Sequence, residues 1–337
     1  MRKARLFLLL LNAAACLGLA QAQSVPDKMH YDISKDRVLY SIGYSHLDTQ
    51  WNWDYPASIN KYIKNTMTEN FYLFDRYPDY VFSFTGSYRY HLMKEYYPDL
   101  YVQVKKYIDA GRWYVAGSSV DEAEAVVSSP ESVIRQILYG NHFFKKEFGK
   151  VSADYLLPDC FGFPACLPTL LSYAGLKGFS TQKLSWGSAV GIPFNVGVWY
   201  GPDGSGLVSA LNPGSYTSRF PAHLDTDEKW NKRLSDDKAK SGYAFDYMYY
   251  GVGDQGGAPR ESDARKAEAC LSNSNSKFKV VLTSSDQMFK DITPEIKKQL
   301  PVYTGDLLLT EHSAGSITSQ AFMKKMNRKN EFLAQAA

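Results

Sequence analysis

Four short segments carry side chains that could do acid–base or metal chemistry together. The first is Ser45-His46-Leu47-Asp48-Thr49-Gln50-Trp51. An imidazole and a carboxylate two residues apart on extended chain point to the same face, because side-chain direction alternates with a period of two. His46 and Asp48 could therefore hold one cation between them. The second segment, Leu156-Leu157-Pro158-Asp159-Cys160-Phe161-Gly162, delivers a carboxylate and an aromatic ring to a turn after an apolar run. The third, Tyr250-Gly251-Val252-Gly253-Asp254-Gln255-Gly256-Gly257-Ala258-Pro259, projects Asp254 from a loop whose glycines let the backbone approach another group closely. The fourth, residues 305–315, places His312 after the strand-like run Leu307-Leu308-Leu309. Taken singly, each has a plain structural reading: a hydrogen-bonded pair, a helix cap, a flexible turn, a structural imidazole.

Joint chemistry requires strands that end on one edge of a sheet, where α/β folds collect their ligands. Residues 38–44 are apolar, β-branched and aromatic, as a buried parallel strand should be. Residues 55–77 follow with Ile59, Ile63, Met67, Phe71 and Phe74 at helical spacing, closed by Tyr77-Pro78-Asp79. A strand over 81–85, helices over 91–110 and 130–148, and strands near 113–117 and 153–157 continue the alternation. Such β and α units predict parallel strands covered by helices. The acidic run Asp121-Glu122-Ala123-Glu124 reads as a solvated loop before a helix start at 128–131. Residues 176–208 look more irregular, their short apolar pieces and glycines suggesting hairpins or loops on the sheet's ligand face; 225–237 read as a solvated, charge-rich helix or excursion, and 277–283 is the next clear strand. From Ser319 the chain turns helical and basic, with Phe322, Met326 and Leu333 forming an apolar stripe.

The composition is that of a globular protein: 337 residues, 45% hydrophobic and 22% charged, which excludes disordered and fibrous classes. Its net charge of +3 comes with scattered Lys and Arg, so no basic stripe argues for nucleic acid. An aromatic fraction of 15%, including 25 Tyr, suits both core packing and carbohydrate stacking. Residues 1–22 read as a secretory signal, with Arg2, Lys3 and Arg5 before an apolar run and Ala20-Gln21-Ala22 as the cleavage site. Export to a periplasmic or extracellular location follows, with Cys16 as a lipid anchor the alternative. The apolar run falls short of the ~20 residues of a membrane span. The remaining Cys160, Cys166 and Cys270 form no disulfide framework and read as small buried hydrophobes.

In this order, and with Ser180-Thr181-Gln182-Lys183-Leu184-Ser185-Trp186 between the second and third, the segments resemble glycoside hydrolase family 38, the retaining α-mannosidases. The resemblance spans roughly residues 39–333. Its Thr-Gln-Lys-Leu-Ser-Trp and Gly-Asp-Gln-Gly-Gly forms look like the bacterial and cytosolic branch. It implies an α/β fold, mostly parallel and seven-stranded, a distorted barrel-like domain covered by helices at 23–318. At 319–337 it implies the first helix of a truncated helical bundle.

The resemblance further implies one divalent cation, zinc with cobalt or manganese as alternatives, held by His46, Asp48, Asp159 and His312. Two nitrogens and two oxygens suit Zn²⁺ as a donor set. Asp159 matches the family's nucleophile, Asp254 its general acid/base, and Trp51 and Phe161 its sugar-stacking rings. The implied substrates are α-mannoside glycans, cleaved from the terminus with retention. Implied partners are the missing C-terminal domains or a second copy of the chain. Two other readings use the same residues. One is a mannose- and metal-binding remnant without turnover. The other is a metal-dependent sugar deacetylase, which leaves residues 253–257 without a role.

Overall fold

The segment Arg37–Ser45 buries every residue after Arg37, so it must be covered on both faces. The computed structural model describes residues 30–312 and 314–337, and the leader at 1–22 lies outside the described residues. In chain order its strands are β1 Arg37–Ser45, β2 Phe82–Thr85, β3 Trp113–Ala116, β4 Asp154–Leu156, β5 Gly162–Phe163, β6 Gly178–Ser180, β7 Val196–Tyr200, β8 Gly206–Ala210, β9 Ala244–Val252, β10 Lys279–Leu282, β11 Val302–Thr304 and β12 Leu307–Leu308.

The strands form two five-stranded sheets and a two-stranded ribbon. The first sheet runs β10-β1-β2-β3 with β9 also on β1, and all its pairings are parallel. The second runs β11-β7-β8-β6-β4, parallel except for the β7–β8 hairpin. The ribbon pairs β12 with β5. The sheets meet where β3 lies beside β4, with the Gly117 N–H donating to Asp154 Oδ1 at 3.4 Å. The mostly parallel α/β architecture expected from the sequence is present, with its strands divided between two sheets instead of closing into one ring.

Alternation along β1 and β9 shows where the core lies. Val38, Tyr40, Ile42 and Tyr44 of β1 and Phe245, Tyr247 and Tyr249 of β9 share one cluster with Leu156, Val198 and Val208 of the second sheet. This is the interior between the sheets. Leu39, Met248 and Tyr250 face the other way, onto Trp230 and Leu234 of the helix Glu228–Ser241 and Ala267 of the helix Glu261–Leu271. An aromatic cluster around Trp113, with Phe71, Phe74, Phe82 and Phe84, packs the helices Lys64–Arg76 and Ser87–Tyr96 against the far edge.

Three sequence expectations are refined. The region 176–208 contains most of the β7–β8 hairpin, in keeping with the expected hairpins or loops, and adds the parallel strand β6 and a 3₁₀ turn at Lys183–Trp186. A nine-residue strand, β9, precedes the expected strand at 277–283 and pairs with β1 over its whole length. The solvated helix at 225–237 is Glu228–Ser241, capped by Asp227, and it buries Trp230 and Leu234. The helix Ala321–Ala336 forms as expected, with Phe322 and Leu333 exposed.

The helix Pro130–Phe148 starts at a Ser129 cap with Pro130 in its first turn and stops at left-handed Gly149. Its Gly140 touches the backbone preceding Asp121, and a Cβ there would lie 2.4 Å from the Ser119 carbonyl carbon. Alanine at a helical glycine gains about 1 kcal/mol of propensity, but forcing a methyl group into backbone costs up to ~3 kcal/mol. Gly140→Ala should therefore destabilise the chain by about 2 kcal/mol, measured as a lowered urea midpoint. An unchanged midpoint would show that the helix slides freely off the loop.

Candidate active site

His46 and Asp48 lie just past the end of β1, and Asp254 just past the end of β9. One further bond follows the parallel pattern, and beyond it the two chains pair through an antiparallel bridge between Leu47 and Gln255. The His46 N–H donates to Val252 O at 3.1 Å, Asp48 N–H to Asp254 O at 2.8 Å, and Gly256 N–H to His46 O at 2.9 Å. Asp254 adopts a positive φ of 40°, which aims its side chain back at β1. One donor atom each from His46, Asp48 and Asp254 then falls within 4.8 Å of the other two. The glycine loop is clamped: Gly257 N–H donates to Thr66 Oγ1 at 2.9 Å and Ala258 N–H to Glu69 Oε2 at 3.0 Å.

Asp159 reaches the same place from the second sheet, three residues past β4, with Oδ2 3.9 Å from His46 Nε2. Its other oxygen is paired to Lys183, whose side chain is 1% exposed. The Lys183 ammonium lies 4.3 Å from the Phe161 ring centroid and 3.6 Å from that of Trp186. Burial raises the Asp159 carboxyl above its ordinary value, while Lys183 and His46 oppose that and favour the ionised form. Phe161 flanks the cleft, its N–H donating to Glu124 Oε2 at 3.1 Å. Trp51 is 62% exposed and stands edge-on to Trp53.

His312 stands against the ring of Trp186, itself a neighbour of Lys183. Pairing of residues 187–189 with 308–310 carries it to the Trp186 ring, at a centroid distance of 4.4 Å. It is not in the His46–Asp48–Asp254 group, which instead includes a carboxylate assigned by resemblance to acid–base work alone.

The acidic run expected to be solvated is half-buried and lines the cleft. Asp121 accepts from Thr49 Oγ1 at 2.6 Å and pairs with Arg89 at 2.9 Å. Arg89 is 2% exposed and also donates from Nε to Leu47 O, between the two β1 residues. Glu122 lies 3.3 Å from His46 Nδ1, and Glu124 accepts from the Cys160 thiol at 3.4 Å. Tyr216 lies against the His46 ring at 4.9 Å and donates its hydroxyl to Asp254 Oδ1 at 2.8 Å. Arg89, Tyr216 and the buried role of Lys183 carry no local sequence signal. The Asp-Glu-x-Glu run was visible, and its burial was not.

The cleft has a volume of about 300 Å³. Asp48, Asp121, Glu122, Glu124 and Asp159 line it together with Arg89, while Asp254 adjoins His46 and Asp48 and Lys183 pairs with Asp159. Both His46 nitrogens are buried without an aligned hydrogen bond. An orphaned imidazole nitrogen beside converging carboxylates fits a divalent cation held by His46 and Asp48 with Asp159 and Asp254 adjacent.

Residues 37–306 match the family model described as the glycosyl hydrolases family 38 N-terminal domain. The chain belongs to glycosyl hydrolase family 38. Relatives in that family include Alpha-mannosidase G of Dictyostelium discoideum, 32% identical over 314 residues, which cover 93% of this chain and 28% of the relative. Alpha-mannosidase 2C1 of Homo sapiens is 30% identical over 295 residues, 87% of this chain and 28% of the relative. The chain thus spans just over a quarter of these relatives' length. The fold matches that of an alpha-mannosidase from Enterococcus faecalis V583 with a TM-score of 0.64 at 19% identity, over 81% of this chain and 31% of that one.

Within this family 38 domain, burial works against an imidazolium at His46, but Glu122 and Asp48 outweigh it and push its pKa up to about 10. Burial would likewise raise Glu122, and His46 with Arg89 reverses this and holds it at about 2. Glu122, ordinarily 4.5, stabilises the metal-free fold above that pH and loses its effect as pH falls toward 2. His46, ordinarily 6.5, stabilises below that pH and loses its effect as pH rises toward 10. The His46–Glu122 pair should therefore contribute most to the metal-free fold between about pH 4.5 and 6.5, the two ordinary values, seen as the difference between the parent and His46→Gln. Melting curves across pH check this, and His46→Gln should flatten the alkaline decline.

Proposed function

We propose that this chain is the catalytic domain of an exported, zinc-dependent exo-α-mannosidase that acts with retention of configuration. The observation that carries the reading is the convergence of Asp159 from the second sheet with His46, Asp48 and Asp254 from the first at one cleft. Membership of family 38 and relatives named alpha-mannosidases supply the sugar. The signal-like leader at residues 1–22 supports export.

His46 and Asp48, with Asp159 beside them, would hold the cation, which leaves the nearby Asp254 for proton transfer; His312 remains a proposed ligand through the family resemblance alone. A bound Zn²⁺ supplies electrostatic stabilisation and a template for sugar hydroxyls. Asp159, paired with Lys183, attacks the anomeric carbon as its carboxylate and forms an ester to the mannosyl group as the glycosidic bond breaks. Asp254, its Oδ1 held by Tyr216, gives its proton to the departing glycosidic oxygen. Water then adds to the same carbon, Asp254 takes its proton, and mannose leaves with the Asp159 carboxylate restored. Phe161 in the cleft lining, and the exposed Trp51 next in sequence to the lining residue Gln50, would offer rings to the apolar faces of the sugar.

The test is mannose release from a chromogenic α-mannoside by the purified chain, with chelator and with added Zn²⁺. Chelator should abolish turnover and Zn²⁺ restore it. Asp159→Asn should lose at least ~10³-fold in kcat while still binding mannose. Mannose-dependent thermal stabilisation with no turnover in the parent chain would replace this reading with that of a binding remnant.

A further inference from the structure

We propose that Glu122 is the positioning residue for His46, fixing the imidazole through Nδ1 so that Nε2 is the nitrogen offered to a divalent cation. The proposal deepens the metal-dependent reading above and rests on it.

The two faces of the His46 ring edge have different neighbours. Nε2 faces the cleft, 3.4 Å from Asp48 Oδ1 and 3.9 Å from Asp159 Oδ2. Nδ1 faces away from them, 3.3 Å from Glu122 Oε2. A neutral imidazole has one donor and one acceptor nitrogen, and a carboxylate at Nδ1 selects the tautomer whose lone pair is on Nε2. A carboxylate accepting the second N–H of a metal-bound histidine also fixes ring orientation and strengthens the ligand.

Glu122 is itself held in one orientation. Its Oε1 accepts from the Tyr44 hydroxyl at 2.8 Å and from Thr85 Oγ1 at 2.8 Å, so Oε2 is the oxygen directed at His46. Tyr44 is on β1 and Thr85 ends β2, both in the buried sheet. On the backbone side, Glu122 N–H donates to Asp121 Oδ1 at 2.8 Å, and Asp121 N–H to Gln136 Oε1 at 2.9 Å on the helix Pro130–Phe148. The Glu122 side chain is 11% exposed, which shields the contact from water. The acid is thus braced from two strands and a helix, and its free oxygen has His46 Nδ1 as its neighbour.

The decisive experiment measures Zn²⁺ affinity of the purified chain by competition with a chromogenic chelator, together with the visible spectrum of its Co²⁺ form. The parent, Glu122→Gln and Tyr44→Phe are compared after circular dichroism has shown retained secondary structure. Glu122→Gln should weaken Zn²⁺ binding ~10–100-fold and shift the Co²⁺ absorption bands, because the ligand field at His46 changes. Tyr44→Phe, which frees Oε1 to rotate, should weaken binding in the same direction by a smaller factor. If Glu122→Gln does not fold, Tyr44→Phe decides the matter. Parent-like affinity and spectrum in the folded variants would overturn the proposal alone. A parent chain that binds no Zn²⁺ would overturn the metal-dependent reading and this proposal with it.

Discussion

The constraint on which the site depends is the parallel pairing of β1 with β9, together with the bridge between the loops that follow them. Residues 37–45 pair one for one with 244–252, the His46 N–H carries that register one bond further to Val252, and an antiparallel bridge between Leu47 and Gln255 then ties Asp48 to Asp254. A slip of one residue would turn every side chain to the other face, removing both His46 and Asp48 from the cleft. Because alternate residues of both strands fill the interior between the sheets and the outer helical layer, that register is fixed by hydrophobic burial at nearly every position. The chemistry is aligned by the core.

The second dependence is electrostatic. Placing carboxylates from both sheets around one cleft costs self-repulsion and desolvation, and the fold offsets this with cations that are themselves buried. Arg89 ties Asp121 to the carbonyl of Leu47, so the acidic loop and the end of β1 move as one body. Lys183, enclosed by Phe161 and Trp186, does the same for Asp159 and the 3₁₀ turn after β6. Both cations join segments distant in sequence, and neither could be exchanged for the other without losing geometry. Arg89 uses its planar fork on two acceptors, whereas Lys183 acts as a point charge between two rings.

Much of this was legible from residue order alone. β1, β2, β3 and the helix Pro130–Phe148 follow from buried apolar runs and caps, His46, Asp48 and Asp159 stand out as polar groups at strand ends, and Asp254 as a carboxylate on a glycine-rich loop. β9 was not legible, because its sequence Ala-Phe-Asp-Tyr-Met-Tyr-Tyr-Gly-Val carries Asp246 in a fully buried position. That carboxylate is tolerated only because Arg233 arrives from the preceding helix, a tertiary partner no local pattern announces. The acidic run 121–124 misled for the same reason: charge usually means solvent, and here it means partners brought in by β1, β2 and the helix holding Arg89. His312 shows the reverse case, a residue placed by family resemblance whose position in the fold is set by the pairing of 187–189 with 308–310.

The backbone of Asp254 has a consequence for how this domain could change over time. A non-glycine residue at a φ of 40° carries a conformational cost of roughly 1–2 kcal/mol. Glycine would carry none, and glycines already stand on both sides at positions 253 and 256. The chain therefore holds a residue there that local backbone energetics would trade away, and a single change to glycine would relieve the turn while removing a carboxylate from the group with His46 and Asp48.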